Sequence, residues 1–228
     1  MSDGARAGAR RAQLSDEVAD HVRELIISSR LRPGEFIRQE RIAEELGLSA
    51  TPVREGLLAL KGEGFVWLKP RRGFVVAPLS AADVMDLFAA QALLAGELVA
   101  RATARLDEAG LQRLDQLHRD LRKAATAGDG ELVEQLNHEF HRVINLAAGS
   151  ARLAWMLSIT AKFAPRRFFA TISGWPRASA QDHAAIMSAL RKGDAEAARK
   201  AMTRHIENAG ELLAHHFVSA QVAAEGTA

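Results

Sequence analysis

Apolar positions recur with helical spacing from Val18 onward. Val18, Val22, Leu25 and Ile26 fall on one stripe, predicting a first helix that opens at Ser15, a side chain able to cap its first turn. Asp16 and Glu17 then set negative charge at the positive end of the helix dipole. Pro33-Gly34 closes this unit with turn chemistry. A short helix follows, running roughly from Gln39 to Leu46 and ended by Gly47 where a left-handed cap is wanted. Ser49-Ala50-Thr51-Pro52 opens a third helix; proline is tolerated in a first turn because its missing N–H would have no partner there. Val53, Leu57 and Leu60 give that helix its buried face, and Gly62 and Gly64 stop it. The β-rich runs Phe65–Leu68 and Phe74–Val76, on either side of Pro70-Arg71-Arg72-Gly73, predict a hairpin.

Beyond Pro78 the pattern is helical throughout. Ser80, with Asp83 three residues on, makes a capping-box start. Breaks near Glu108–Gly110, Gly128–Gly130, Gly149-Ser150, Gly174–Pro176 and Gly193 divide the remainder into about six helices. The predicted fold is mainly α. A winged helix-turn-helix of three helices plus a β-hairpin, residues 14–78, precedes an antiparallel bundle of about six helices, residues 79–218. Residues 1–13, rich in Gly, Ala and Arg, read as a mobile basic tail, and 219–228 as a second tail.

Composition narrows the class without naming a function. Of 228 residues 48% are apolar and 25% charged, a globular balance with room for two modest domains. The absence of cysteine excludes a disulfide framework and a thiolate metal site, and suits a reducing compartment. No window approaches the ~20 apolar residues of a membrane span, and no apolar signal segment opens the chain. A cytoplasmic location with no membrane association is expected. Net charge is +2, with 13 basic and 11 acidic residues before Pro78 and 17 of each after it. So small a surplus says little about nucleic acid, and the placement of individual arginines must carry that argument.

In a winged helix-turn-helix the third helix lies in the major groove, with its N-terminal residues at the base edges. Its exposed side here offers Ala50, Thr51 and Arg54. Arg54 is the candidate base contact, because a guanidinium pairs bidentately with guanine O6 and N7. Ser49 and Thr51 suit phosphates, through hydroxyls or helix-terminal N–H groups. Arg71 and Arg72 beside Gly73 suit a minor groove or a phosphate clamp. The competing view, ordinary surface arginines on a small α+β domain, does not account for the order of elements.

The second half carries histidines at helical positions. Asn137 and His141 share a face of a helix predicted from Glu131 to Ala147, and His183 and His205 fall on the last two helices. Bundles build metal sites by aiming such residues inward from facing helices. Three imidazoles and an oxygen suit zinc or nickel, with one or two positions left open. A histidine on a half-apolar face is more often a hydrogen-bonded core or rim residue, so periodicity alone does not decide. His118, His138, His215 and His216 show no such pattern, and His138-Glu139-x-His141 lacks the i, i+4 spacing of a zincin helix.

The residues Pro33-Gly34-Glu35, Ile42-Ala43-Glu44, Ser49, Thr51-Pro52-Val53-Arg54-Glu55 and Arg72-Gly73-Phe74 resemble the GntR family of bacterial regulators. That resemblance implies that Arg38, Thr51, Arg54, Arg72 and Gly73 lie near DNA. The family's arginine directly after the serine is Ala50 here, which removes one base or phosphate contact.

Residues 80–217 resemble the FCD-type ligand-sensing domain of the FadR/VanR-like branch. The likeness rests on Asn137-His138-Glu139-Phe140-His141, Asp182-His183-Ala184-Ala185-Ile186 and Arg204-His205-Ile206. It implies a divalent metal, zinc or nickel, held by Asn137, His141, His183 and His205. Asn137 stands where aspartate is commoner, so the ion would keep its whole positive charge. That favours an anionic effector such as a carboxylate and lowers metal affinity. The family's arginine and following glutamate on the opening helix are Gln91 and Ala95 here. Gln91, Arg142 and Arg166 are therefore the candidate effector contacts, with Arg167 as a further substitute.

The expected protein is a homodimeric, non-enzymatic repressor. It would read an inverted repeat in double-stranded DNA and be released or repositioned by a small carboxylate bound over the metal. Two other readings stand beside it. One is an architectural DNA-binding protein without an effector. The other is a metal-dependent hydrolase, which lacks a carboxylate placed as general base.

Overall fold

The computed structural model describes residues 3–163, 169 and 172–225. Described residues up to Ser80, with those from Phe217 onward, form one compact unit, and Ala81–His216 form another. The first unit contains α1 (Asp3–Ile27), α2 (Gln39–Leu46), α3 (Ala50–Gly62) and the hairpin β1 (Val66–Lys69) and β2 (Gly73–Val76). Val18, Val22, Leu25 and Ile26 of α1 are buried, as are Val53, Leu57 and Leu60 of α3. Gly47 closes α2 in the left-handed conformation, φ 65°, as its place in the sequence requires.

Helices α1 and α3 meet at Gly56. A Cβ there would lie 2.7 Å from the Ser15 backbone oxygen and 2.8 Å from Val18 Cβ. Both are atoms with nowhere to go, so Gly56→Ala should destabilise this unit by about 1–3 kcal/mol through overpacking. Calorimetry of the full chain checks this; an unshifted melting profile would refute the close approach.

The hairpin is antiparallel, in register from Val66↔Val76 to Lys69↔Gly73. The segment after Pro33-Gly34 does more than turn. Phe36 bridges to Val75, Ile37 N donates to Phe74 O at 2.9 Å, and Val76 N donates to Glu35 O at 2.9 Å. It supplies β2 with a short third edge that the sequence pattern did not announce.

Two element limits differ from expectation. Residues read as an N-terminal tail belong to α1, which begins at Asp3. Ser15 is not a cap but lies inside the helix, its hydroxyl donating back to the Ala12 carbonyl at 2.9 Å. Alanine and arginine are strong helix formers, so a helix nucleated on the buried stripe propagates backward without needing apolar contacts. The last helix likewise continues past Val218 to Glu225.

Beyond Ser80 the described elements are all helical: α4 (Ala81–Thr103), α5 (Glu108–Ala127), α6 (Gly130–Ala147), α7 (Ala151–Ala161), α8 (Trp175–Lys192) and α9 (Ala195–Glu225). These six described helices agree with the expected bundle; the break expected near Glu108–Gly110 falls at residues 104–107, just before α5 begins at Glu108. Asp107 caps α5 by accepting from Gly110 N at 2.8 Å, and Asp129 caps α6 by accepting from Leu132 N at 3.0 Å. Gly128 and Gly193 end α5 and α8 in left-handed geometry. The core joins Leu98 and Val99 of α4, Leu114 and Leu117 of α5, and Phe140 and Ile144 of α6 with Ile186 and Met187 of α8 and Met202 of α9. No described helix is long and apolar enough to cross a membrane.

Candidate DNA-binding surface and metal centre

Burial decides which side of α3 faces outward. Pro52, Val53, Gly56, Leu57 and Leu60 are buried, which leaves Thr51 and Arg54 exposed at the N-terminal end. Arg54 makes no ion pair among the described residues, because its neighbour Glu55 is held by Arg11 of α1, whose Nε donates to Glu55 Oε2 at 2.9 Å. That hydrogen bond holds the Glu55 carboxyl below its ordinary range. Lys61 is exposed two turns after Arg54 on the same face, a cation the sequence reading passed over although the i+7 spacing marks it. Ser49 takes the N-cap position of α3 without a side-chain capping bond, and Arg38 precedes α2, exposed, in the corresponding place.

The wing tip is made by Pro70, Arg71 and Arg72. Arg71 sits in the left-handed region at φ 60°, and Gly73 at φ 94° restores the strand. Both arginines are exposed, and the Arg72 guanidinium rests 4.8 Å from the centroid of the Phe36 ring. Thr51, Arg54, Arg71 and Arg72 are thus free to meet an outside partner.

In the helical unit three elements bring their histidines together. His141 comes from α6, His183 from α8 and His205 from α9, and one ring nitrogen of each lies within 4.8 Å of the others. His141 Nε2 and His205 Nε2 are 3.0 Å apart, one donating and the other accepting. The Phe140 ring stacks on His183 with centroids 4.1 Å apart, which fixes the plane of that imidazole. Burial, and then the neighbouring imidazoles, hold His141 and His183 well below the ordinary histidine range. Both shifts favour the neutral imidazole, the form that ligates a metal.

The donor set suits a divalent ion. His183 is completely buried, and neither of its nitrogens has a hydrogen-bond partner. Orphaned buried nitrogens are costly and rare, and an ion on one of them removes part of that cost. Asp182 supplies an outer carboxylate: its Oδ2 accepts from Asn208 Nδ2 at 2.9 Å and lies 3.5 Å from His205 Nδ1, leaving His205 Nε2 toward the centre. Asp182 has no part in the expected ligand set, and its place directly before His183 is the signal in the sequence that marks it.

The remaining expected site residues have partners or surroundings of their own. Asn137 lies one turn before His141, and its Oδ1 accepts from the buried Ser179 hydroxyl at 3.2 Å. Gln91 is buried, with its amide donating to the Thr160 carbonyl at the end of α7 at 3.1 Å, so it fastens α4 to α7. Arg142 is exposed and paired with Glu139 at 3.5 Å; one residue past His141, it is rotated about 100° away from that side chain. Arg166 and Arg167 lie outside the described residues. His118, read from sequence as ordinary, is buried beside His183 with ring centroids 6.2 Å apart, and its Nδ1 has no partner.

A winged helix-turn-helix followed by an all-helical unit defines a DNA-binding transcription regulator. Residues 14–76 match the bacterial regulatory proteins of the gntR family, and residues 86–208 match the FCD domain. The chain belongs to the GntR family of regulators that carry an FCD domain, an assignment that supports a regulatory rather than an enzymatic role. It is 28% identical over 156 residues to an uncharacterized HTH-type transcriptional regulator of Mycobacterium tuberculosis. That alignment covers 68% of this chain and 63% of the relative, less than two thirds of its length. It is 26% identical over 192 residues to the HTH-type transcriptional repressor RspR of Escherichia coli, covering 82% of this chain and 83% of that one. Among solved structures, McbR/YncC of E. coli shares the fold at TM-score 0.67 with 24% identity, over 88% of this chain and 96% of that one.

Proposed function

We propose that this chain is a cytoplasmic, homodimeric repressor of the FadR/VanR-like branch that reads an inverted repeat and releases it when a small carboxylate binds in the helical unit. The observation that carries the DNA half is the exposed, unpaired Arg54 at the start of α3, flanked by Thr51 and, on the wing, by Arg71 and Arg72. Two copies related by a two-fold axis would present two such helices to successive major grooves. The repressor sign is taken from RspR, whose name records that role.

The buried triad supports the sensing half. His141, His183 and His205 would hold zinc or nickel, with Asn137 as a neutral oxygen nearby, and the ion would supply a Lewis-acidic anchor for an anion. Among the described candidates, Gln91 is committed to the Thr160 carbonyl and Arg142 is exposed and paired with Glu139, so the ion would be the chief positive charge that those residues leave for an effector. Burial holds the His141 and His183 imidazoles well below the ordinary histidine range, Phe140 fixes the His183 plane, and His183 and His205 are buried from water.

Arg54→Ala should remove about 1–3 kcal/mol of base discrimination at each contact while leaving the melting profile intact. Binding to a selected operator against genomic competitor at moderate salt measures this, and full specificity in the variant would refute the contact. A thermal-shift panel of small carboxylates and sugar acids, run with zinc and with chelator, tests the sensing half. Stabilisation that requires zinc, joined to loss of operator binding, is the expected result. Operator binding unchanged by every acid would favour an architectural role.

A further inference from the structure

We infer that His118 on α5 is the outer partner of His183, a positioning residue that accepts the proton on the His183 nitrogen facing away from the metal. This rests on the metal reading above and assigns a role to a residue outside the histidine triad.

The argument begins with His183. Neutral imidazole has two nitrogens, and an ion can occupy only one of them. The other then carries hydrogen and needs an acceptor, because ligating histidines almost always donate that hydrogen to a second group, which fixes tautomer and ring orientation. For His205 the Asp182 carboxylate is within ion-pair range at 3.5 Å of Nδ1, although Nδ1 makes no hydrogen bond to it. His183 has no carboxylate, carbonyl or hydroxyl bonded to either nitrogen.

Its ring neighbours narrow the choice. Phe140 stacks on it and offers only carbon, while His141 and His205 direct nitrogens at one another across the shared centre. His118 remains. It is buried, its Nδ1 is unpartnered, and its ring centroid lies 6.2 Å from that of His183 at a 45° tilt. That spacing suits a link through one water, or a direct bond after a slight approach of the rings. Two orphaned buried imidazoles side by side are each unsatisfied alone, and one shared proton satisfies both. As acceptor at Nδ1, His118 carries its own hydrogen on Nε2.

The fold holds His118 there for reasons independent of any ligand. Leu114, Leu117, His118 and Leu121 form the buried stripe of α5, and α5 packs directly on α8. A polar side chain on that stripe costs stability unless it has work to do.

The test uses full-length protein and zinc alone. Zinc affinity is measured by competition with a chromophoric chelator for wild type, His118→Leu and His118→Gln, and folding is checked by melting in excess chelator. His118→Leu fills a similar volume without an acceptor and should weaken zinc about 10–100-fold. His118→Gln retains an amide oxygen and should recover most of that loss. Undiminished affinity in His118→Leu overturns the inference, as does equal loss in both variants, which would reduce His118 to packing. If leucine prevents folding, His118→Ala takes its place under the same criteria. A wild type that binds no zinc would overturn the metal reading itself, a result visible before any variant is made.

Discussion

Arg23→Ala is expected to destabilise the winged-helix unit by about 3–5 kcal/mol, the range found when a buried ion pair loses one member. That is a large part of the about 5–15 kcal/mol that holds a domain together. Arg23 lies on α1 and is 1% exposed. Its guanidinium donates to Glu63 at 2.6 Å, just past the end of α3, and to Asp20 at 2.5 Å, and lies 5.6 Å from the centroid of Phe65 at the foot of the wing. One side chain therefore ties α1 to the end of α3 and the entry of the hairpin. The Asp20 pair is mostly exposed and contributes little. The Glu63 carboxylate, 19% exposed, would be left without its cation. The double variant Arg23→Met, Glu63→Gln removes both charges and should recover most of the loss, since well-packed neutral groups often match a buried pair. Calorimetry of the full chain distinguishes the cases. A single variant that melts like wild type would show that Glu63 finds water instead.

Arg23 also shows where sequence reasoning stopped. Position 23 follows Ala19 by four residues and precedes Ile26 by three, so it lies on the buried stripe, and a charged residue there looks like a surface interruption. Only the arrival of Glu63, 40 residues away, makes burial tolerable. His118 is the same case on α5, one turn from Leu114 and Leu121 on a face that periodicity marks as core. Local features were legible because their causes are local. Gly47, Gly128 and Gly193 end helices through backbone freedom, and the wing follows from alternation around a turn, whereas the caps Asp107 and Asp129 were passed over and Ser15 was misread as one. The histidine centre was legible only by resemblance, because His141, His183 and His205 are brought together from three helices. Effector contacts were the least legible. Gln91 and Arg142 were chosen by position, and the partners they find in the folded chain, the Thr160 carbonyl by hydrogen bond and Glu139 by ion pair, could not be read from it.

Zinc should raise the melting temperature of the wild type and leave that of His183→Ala unmoved. A ligand that binds only the folded state stabilises by RT ln(1 + [L]/Kd), about 2.7 kcal/mol at one hundred times Kd and about 4.1 at one thousand times. The effect should be confined to the transition of the helical unit, since His141, His183 and His205 all belong to it. His183→Ala also empties a buried site, and its melting in chelator falls for that reason alone. The zinc-induced shift within each protein, rather than the difference between proteins, is therefore the quantity that reports ligation. His205→Ala provides the second case, with the added loss of the Asp182 contact. Neither variant should weaken operator binding by the unliganded protein, because Arg54 and the wing arginines belong to the other unit. What should vanish is the response to a carboxylate effector. A zinc shift of wild-type size in His183→Ala would mean that the ion binds elsewhere, and elemental analysis of both proteins would say whether it binds at all.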